Sequence, residues 1–152
     1  MALKLHFASL SMSAAVDHQT GNLSVFDIVD EIRAPQAPFA IQALAISLIL
    51  ERTTPGTVDG KLFIHLILPD GKTQQIGNGD LHVPNEQRLL KAVFRIGNFP
   101  IQAFGNYRFV VSWMNGTTAD ARKEGEAILD FTVRQVELPA GASEPPGSPI
   151  TH

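Results

Sequence analysis

Gly105-Asn106-Tyr107-Arg108-Phe109-Val110-Val111-Ser112-Trp113-Met114-Asn115-Gly116 is the stretch that decides the fold class. Tyr107, Phe109, Val111 and Trp113 alternate with Arg108, Val110, Ser112 and Met114. That is the two-residue period of a β-strand with one face in a core. Asn115-Gly116 ends the run, since both residues accept turn geometry.

Working outward, Ala127, Leu129, Phe131 and Val133 carry the same period after a polar loop over Thr117–Gly125. Upstream, Leu90, Ala92, Phe94 and Ile96 mark a strand with Lys91 and Arg95 outward. A helix over Asn85–Val93 competes there, because Glu86, Gln87, Leu89 and Leu90 are good helix formers. Leu62, Ile64, Leu66 and Leu68 alternate up to Pro69-Asp70-Gly71-Lys72. In that turn proline presets φ, Asp bonds the backbone ahead and Gly takes a positive φ. A weaker strand over Thr73–Ile76, a break at Gly77-Asn78-Gly79-Asp80 and a short Leu81–Val83 strand follow.

Phe39–Arg52 is the ambiguous element. Its alanines and leucines suit a helix over Ala40–Leu50. Leu44, Ile46, Leu48 and Leu50 nevertheless alternate with Ala45, Ser47 and Ile49, which favours a strand. Across Thr53-Thr54-Pro55-Gly56 it reads as a long hairpin with Leu62–Leu68. Leu23–Ile32 is a strand that follows the Asp17–Asn22 turn and is stopped by Pro35 and Pro38. Leu3, Leu5, Phe7, Leu10 and Met12 make the first strand, with a bulge near Ala8-Ser9.

The expected fold is all-β: an antiparallel two-sheet immunoglobulin-like sandwich of about seven or eight strands, with one short helix as the alternative at the two segments named. It occupies residues 1–137. Residues 138–152, reading PAGASEPPGSPITH from Pro139, form a Pro/Gly/Ser-rich tail with too few bulky apolar side chains to pack.

At 152 residues, 44% apolar and 18% charged, the chain is ordinary globular material for one domain. A net charge of −3, with basic residues no denser than pairs such as Arg122-Lys123, argues against nucleic acid, which needs a basic face. The absence of cysteine excludes disulfides, thiolate zinc sites and cysteine nucleophiles. The opening MALKLHFASLSMSAAV places Lys4 before an apolar stretch, as a signal peptide does. His6, Ser9, Ser11 and Ser13 interrupt that stretch, so a strand explains it better. No segment approaches the ~20 apolar residues of a membrane span. A cytoplasmic location without membrane contact is expected.

The order of landmarks resembles a bacterial family of small immunoglobulin-like β-sandwich domains of unknown function. The matching segments are SVFDIVDEI over Ser24–Ile32, APQAP over Ala34–Pro38, LPDGK over Leu68–Lys72 and FGNYRFVVS over Phe104–Ser112. In the last, Gly105 follows Phe104 directly, which departs from the family's spacing. The resemblance spans Leu3–Val136 and implies a fold but no activity, cofactor or site residue.

The residues themselves point to no catalytic, cofactor-binding or metal-ligating set. His6, His18, His65, His82 and His152 show no ligand spacing, and His65 reads as a solvent-facing or edge residue. Asp27, Asp30 and Glu31 lack a calcium-loop pattern and suit a solvated strand face. Asp59, Asp70 and Asp80 neighbour glycines as turn formers do. Ser9, Ser11 and Ser13 alternate along a strand without the elbow of a serine hydrolase, and Gly77-Asn78-Gly79 lacks the helix of a phosphate loop. Tyr107 resembles the tyrosine whose hydroxyl ties down a sandwich corner, and Trp113 shares its face, so both are expected in the core.

Val110 and Met114, with Ile49, Phe63 and Ile67, make the supposedly solvent faces unusually apolar. Coverage by another surface, such as an oligomer partner, is the expectation. The leading functional expectation is therefore a non-enzymatic interaction module that self-associates or binds a protein through an apolar sheet face. A carbohydrate- or small-ligand-binding sandwich and a hydrolase assembled only in the fold are the alternatives.

Overall fold

In a computed structural model of the chain, residues 2–119 and 121–137 are described. They form nine strands: β1 (Leu3–Val16), β2 (Leu23–Ile28), β3 (Glu31–Ala34), β4 (Phe39–Arg52), β5 (Val58–Ile67), β6 (Thr73–Val83), β7 (Leu89–Ile101), β8 (Gly105–Asn115) and β9 (Arg122–Gln135). The tail expected over residues 138–152 lies outside the described residues, as does His152.

The diagnostic strand, β8, sits in the interior of a five-stranded sheet of order β3-β9-β8-β5-β6, which faces a four-stranded sheet of order β2-β1-β4-β7. Alternation along β8 is as expected, with Tyr107, Phe109, Val111 and Trp113 buried. The ring of Phe131 stacks on Tyr107 and Phe109, at centroid distances of 5.1 Å and 5.8 Å, and Phe99 from the other sheet meets all three. These aromatics, with Leu44, Ile46, Leu48, Ile64 and Leu66, make the core between the sheets.

Several sequence expectations are corrected. The helical alternative falls away, since no helix occurs among the described residues: Ala40–Leu50 is strand, as favoured, inside β4, whose ladders to β1 and β7 satisfy both edges of its backbone. Leu23–Ile32 is two strands: pairing with β1 continues through Asp27, at a left-handed φ of 58°, to the Val29 N–H on Leu10 O, and the chain crosses at Asp30, whose carbonyl accepts from Thr132 of β9. The second piece, β3, pairs with β9 in parallel, so the sheets are not wholly antiparallel. β4 and β5 do not form a hairpin; they lie in opposite sheets. The first bulge falls between Leu5 and Phe7 rather than at Ala8-Ser9.

Gly77-Asn78-Gly79-Asp80 is no break either, since β6 runs through it. Gly77 is there for close approach: a Cβ would overlap the ring of Phe94 from the facing sheet. By contrast, the Pro69–Lys72 turn follows its sequence. Gly71 has a φ of 88°, and the Lys72 N–H donates to the Asp70 carboxylate at 2.9 Å.

Two further contacts tie the sheets together. The Glu124 carboxylate, on β9, accepts the N–H groups of Ala2 and Leu3 at 2.8 Å and 3.0 Å. Nearby, the indole N–H of Trp113 donates to the Leu3 carbonyl at 3.4 Å.

The β1–β2 hairpin folds back across the outer face of its own sheet. Lys91 Nζ donates to Gly21 O at 2.5 Å, and the Arg95 guanidinium to Ala14 O at 2.9 Å. Lys91 is level with Phe7 across β4. A straight β1 would carry Val16 about 30 Å beyond Phe7, at ~3.3 Å per residue. A lysine side chain reaches only roughly 6 Å. The hairpin must therefore return over β4, and Ser9, Ser11, Ala45 and Ser47 on that face are accordingly buried.

Candidate functional site

Among the described residues, none covers the outer face of the five-stranded sheet in that way. Its cross-strand rows read Asn78–Phe63–Ser112–Glu126, Gln75–His65–Val110–Ile128 and Thr73–Ile67–Arg108–Asp130. Period two places these side chains here because their neighbours Leu62, Ile64, Leu66, Phe109 and Val111 point into the core. Phe63, His65, Ile67, Val110 and Met114 are half-buried, and Ile128 is 49% exposed. The result is an apolar band over the central strands.

Charged groups border the band in pairs of opposite sign. Arg108 clamps Asp130 through two bonds of 2.7 Å and 3.0 Å, Lys61 lies 3.8 Å from Asp80, and Lys123 pairs with Glu126. The Arg108 guanidinium holds the Asp130 carboxyl below the usual carboxylate range. Three cations against three anions leave the rim neutral.

Other sequence candidates fall apart in space. His65 is half-buried in the middle of this face, beside Val110 and Gln75, and is not an edge residue. His6 lies 3.5 Å from Glu51, and His82 bonds Asp59 at 2.6 Å, both in the open. His18 is exposed in the β1–β2 turn. Asp17 in that turn accepts the N–H groups of Gln19 and Thr20, so its pKa is lowered by those backbone bonds. Glu31 is lowered chiefly by a hydrogen bond from Arg134, with Arg33 assisting. Among the described residues no three His, Asp or Glu side chains gather as metal ligands would. No helix there is long and apolar enough to cross a membrane.

Tyr107 makes the expected corner bond, its hydroxyl donating to Ala103 O at 2.7 Å, and burial raises its pKa. Both Tyr107 and Trp113 are buried, so neither ring is available to stack on a ligand. Ser9 and Ser11 are sealed beneath the hairpin, and the hydroxyls of Ser9 and its cross-strand neighbour Ser47 have no hydrogen-bond partner.

Sequence reasoning missed Lys91, Arg95 and Arg52. Arg52 donates to the carbonyls of Gln87, Thr54 and Asn85 and fastens the β4–β5 and β6–β7 loops together. No local pattern signals a residue whose partners come from two distant loops.

Comparison with known proteins assigns a family. The model of a family of unknown function (DUF6941) matches residues 6–122, and the chain belongs to that family. No curated protein matches it. Among solved structures, AlkC, an alkylpurine DNA glycosylase from Pseudomonas fluorescens bound to DNA with an abasic site analog, is similar at 12% identity and a TM-score of 0.49; the match covers 88% of this chain and 30% of that one. A family 123 glycoside hydrolase from Clostridium perfringens is similar at 10% identity and a TM-score of 0.49, over 91% of this chain and 28% of that one. A beta-glucosidase from Listeria innocua follows at 9% identity and a TM-score of 0.46, over 90% and 16%. The chain thus spans less than a third of each of these structures.

Proposed function

For this member of a family with no assigned activity, we propose a non-enzymatic interaction module that self-associates through the outer face of its five-stranded sheet. One observation carries the reading: the hairpin covers the outer face of one sheet, while no described residue covers Phe63, Ile67, Val110, Met114 and Ile128 on the other. A contiguous apolar band is a common feature of interfaces. The neutral rim favours a second copy, because an isologous contact sets Arg108 and Lys61 of one face against acidic groups of the other without net repulsion. An immunoglobulin-like strand arrangement, a bacterial source and a cytoplasmic setting belong to the same reading. The buried rings of Tyr107 and Trp113 weigh against the carbohydrate-binding alternative, and the exposure of the His82–Asp59 pair against a hydrolase.

Light scattering over a concentration series tests it. The protein should form a dimer at tens of micromolar (roughly, for a contact of ordinary size), and Ile128→Lys should return it to monomer with unchanged circular dichroism. A wild-type protein that stays monomeric up to ~1 mM, a free energy of only about 4 kcal/mol, would overturn the proposal.

A further inference from the structure

On the opposite side of the molecule, an open, shallow cavity of about 500 Å³ lies between the folded-back hairpin and the sheet beneath. Phe7, Ile49 and Leu89 form its floor, Leu23 and Val25 of β2 overhang it, and Lys91 stands at its wall. Its size falls in the ~300–1,000 Å³ range of small-molecule sites.

Lys91 is the one charged group among the lining residues. It is half-buried, its Nζ donates to a neutral carbonyl, Gly21 O, and no carboxylate of the described residues pairs with it. An ammonium carries three donors, so at least two are open to a further acceptor.

The surroundings are electropositive. Lys4, His6 and Arg88 all converge on the single carboxylate of Glu51, at 3.8, 3.5 and 3.4 Å. Arg95, like Lys91, is held only by a backbone carbonyl. Lys4, Arg88, Lys91 and Arg95 thus share this face, with Glu51 the carboxylate that two of them pair with.

We propose that this cavity binds a free aliphatic carboxylate of medium chain length. The chain lies on Phe7, Ile49 and Leu89 beneath Leu23 and Val25, and the carboxylate meets Lys91 Nζ. A charge-assisted bond in this partly apolar setting is stronger than the neutral one from Lys91 to Gly21 O. One cation on an apolar lining suits one carboxylate better than a polyphosphate, which recruits several cations and backbone N–H groups. The comparable cleft of about 540 Å³ between β6 and β7, lined by Leu68, Ile76 and Phe94, has Arg95 as its one cation, which is exposed where Lys91 is half-buried. This inference is independent of self-association, which concerns the other sheet.

The test titrates the full chain with decanoate and with decanol, followed by calorimetry and by backbone amide shifts. Decanoate should bind, with shifts confined to Phe7, Leu23–Val25, Ile49 and Leu89–Lys91, and decanol roughly tenfold or more weaker. Lys91→Met keeps the apolar stem and should erase the difference between the two. Ile49→Trp should fill the floor and abolish decanoate binding with Lys91 in place, which covers the case in which Lys91→Met loosens the hairpin. Equal binding of decanoate and decanol, shifts centred on the β6–β7 cleft, no binding below the micellar concentration, or association only with phosphatidylglycerol vesicles would each overturn it.

Discussion

Replacing Tyr107 with phenylalanine removes one oxygen from the molecule and leaves its aromatic packing in place. Phenylalanine retains the stack on Phe131 at 5.1 Å and the edge contact with Phe99 at 6.4 Å. What disappears is the 2.7 Å bond that pins the β7–β8 corner through Ala103 O. Such a bond contributes about 1 kcal/mol net. With a urea m-value of about 2 kcal/mol/M, the midpoint should fall by roughly 0.5 M at unchanged m. The melting temperature should drop by about 3–4 °C.

A second arm uses the phenol's ionisation. Burial raises the Tyr107 pKa in the folded state above the ordinary 10.0. The protonated form is thus favoured by folding: its contribution is complete below the unfolded pKa and is lost as pH rises from 10.0 through the folded value. Wild type should therefore lose more stability than Tyr107→Phe across that alkaline window, although lysines titrate there in both. The chain has one tyrosine, so its ultraviolet phenolate band reports this group alone. A change under about 0.3 kcal/mol in urea, or a phenol titrating at its ordinary value, would refute a buried, bonded corner.

Three further perturbations check other parts of the fold. Gly77→Ala should destabilise by about 1–3 kcal/mol in thermal unfolding, because the new Cβ meets the Phe94 ring; Gly79→Ala, into open space on the same strand, should change stability by less than about 1 kcal/mol. Glu124→Gln should weaken the attachment of the chain start by about 1–3 kcal/mol, read as faster hydrogen exchange at Leu3 than at Leu10. Asp130, lowered by Arg108, stabilises the fold above its unfolded pKa of about 3.9, and that contribution is lost as pH falls through the lower folded value. Asp130→Asn should flatten that acid limb while costing less than about 1 kcal/mol at neutral pH, since the pair is exposed.

Period two made most strands legible. It located β8, β9, β5 and β7, and it favoured a strand over Ala40–Leu50 against that segment's helical propensity. What it could not carry was sheet membership. The β4–β5 link reads locally as a hairpin, yet it crosses between sheets, a choice made by long-range pairing of β4 with β1 and β7. Glycine misled for a related reason. Gly77 has the composition of a turn, but its missing side chain makes room for Phe94, seventeen residues on and in the other sheet. β3 was hidden because its ladder partner is β9, a hundred residues away. The site was legible to the same extent: Phe63, Ile67, Val110 and Met114 were identified as outward and apolar, whereas the cavity at Lys91 depends on a hairpin that returns over its own sheet.

That return also divides the doubled hydrophobicity of the central strands into two cases. Where the hairpin lies across β4, the side chains beneath are short: Ser9, Ser11, Ala45 and Ser47, all buried. Short side chains let a second layer of backbone approach, at the cost of leaving the Ser9 and Ser47 hydroxyls without partners. On the outer face of the five-stranded sheet the corresponding positions hold Phe63, Ile67, Val110, Met114 and Ile128. Side chains of that length would keep another layer near the ~10 Å spacing of packed sheets. The hairpin laid flat over β4 has a floor of short side chains beneath it, whereas the other face carries long ones. Length of side chain, rather than apolar character alone, thus separates the face that the hairpin closes from the face on which the proposed self-association rests.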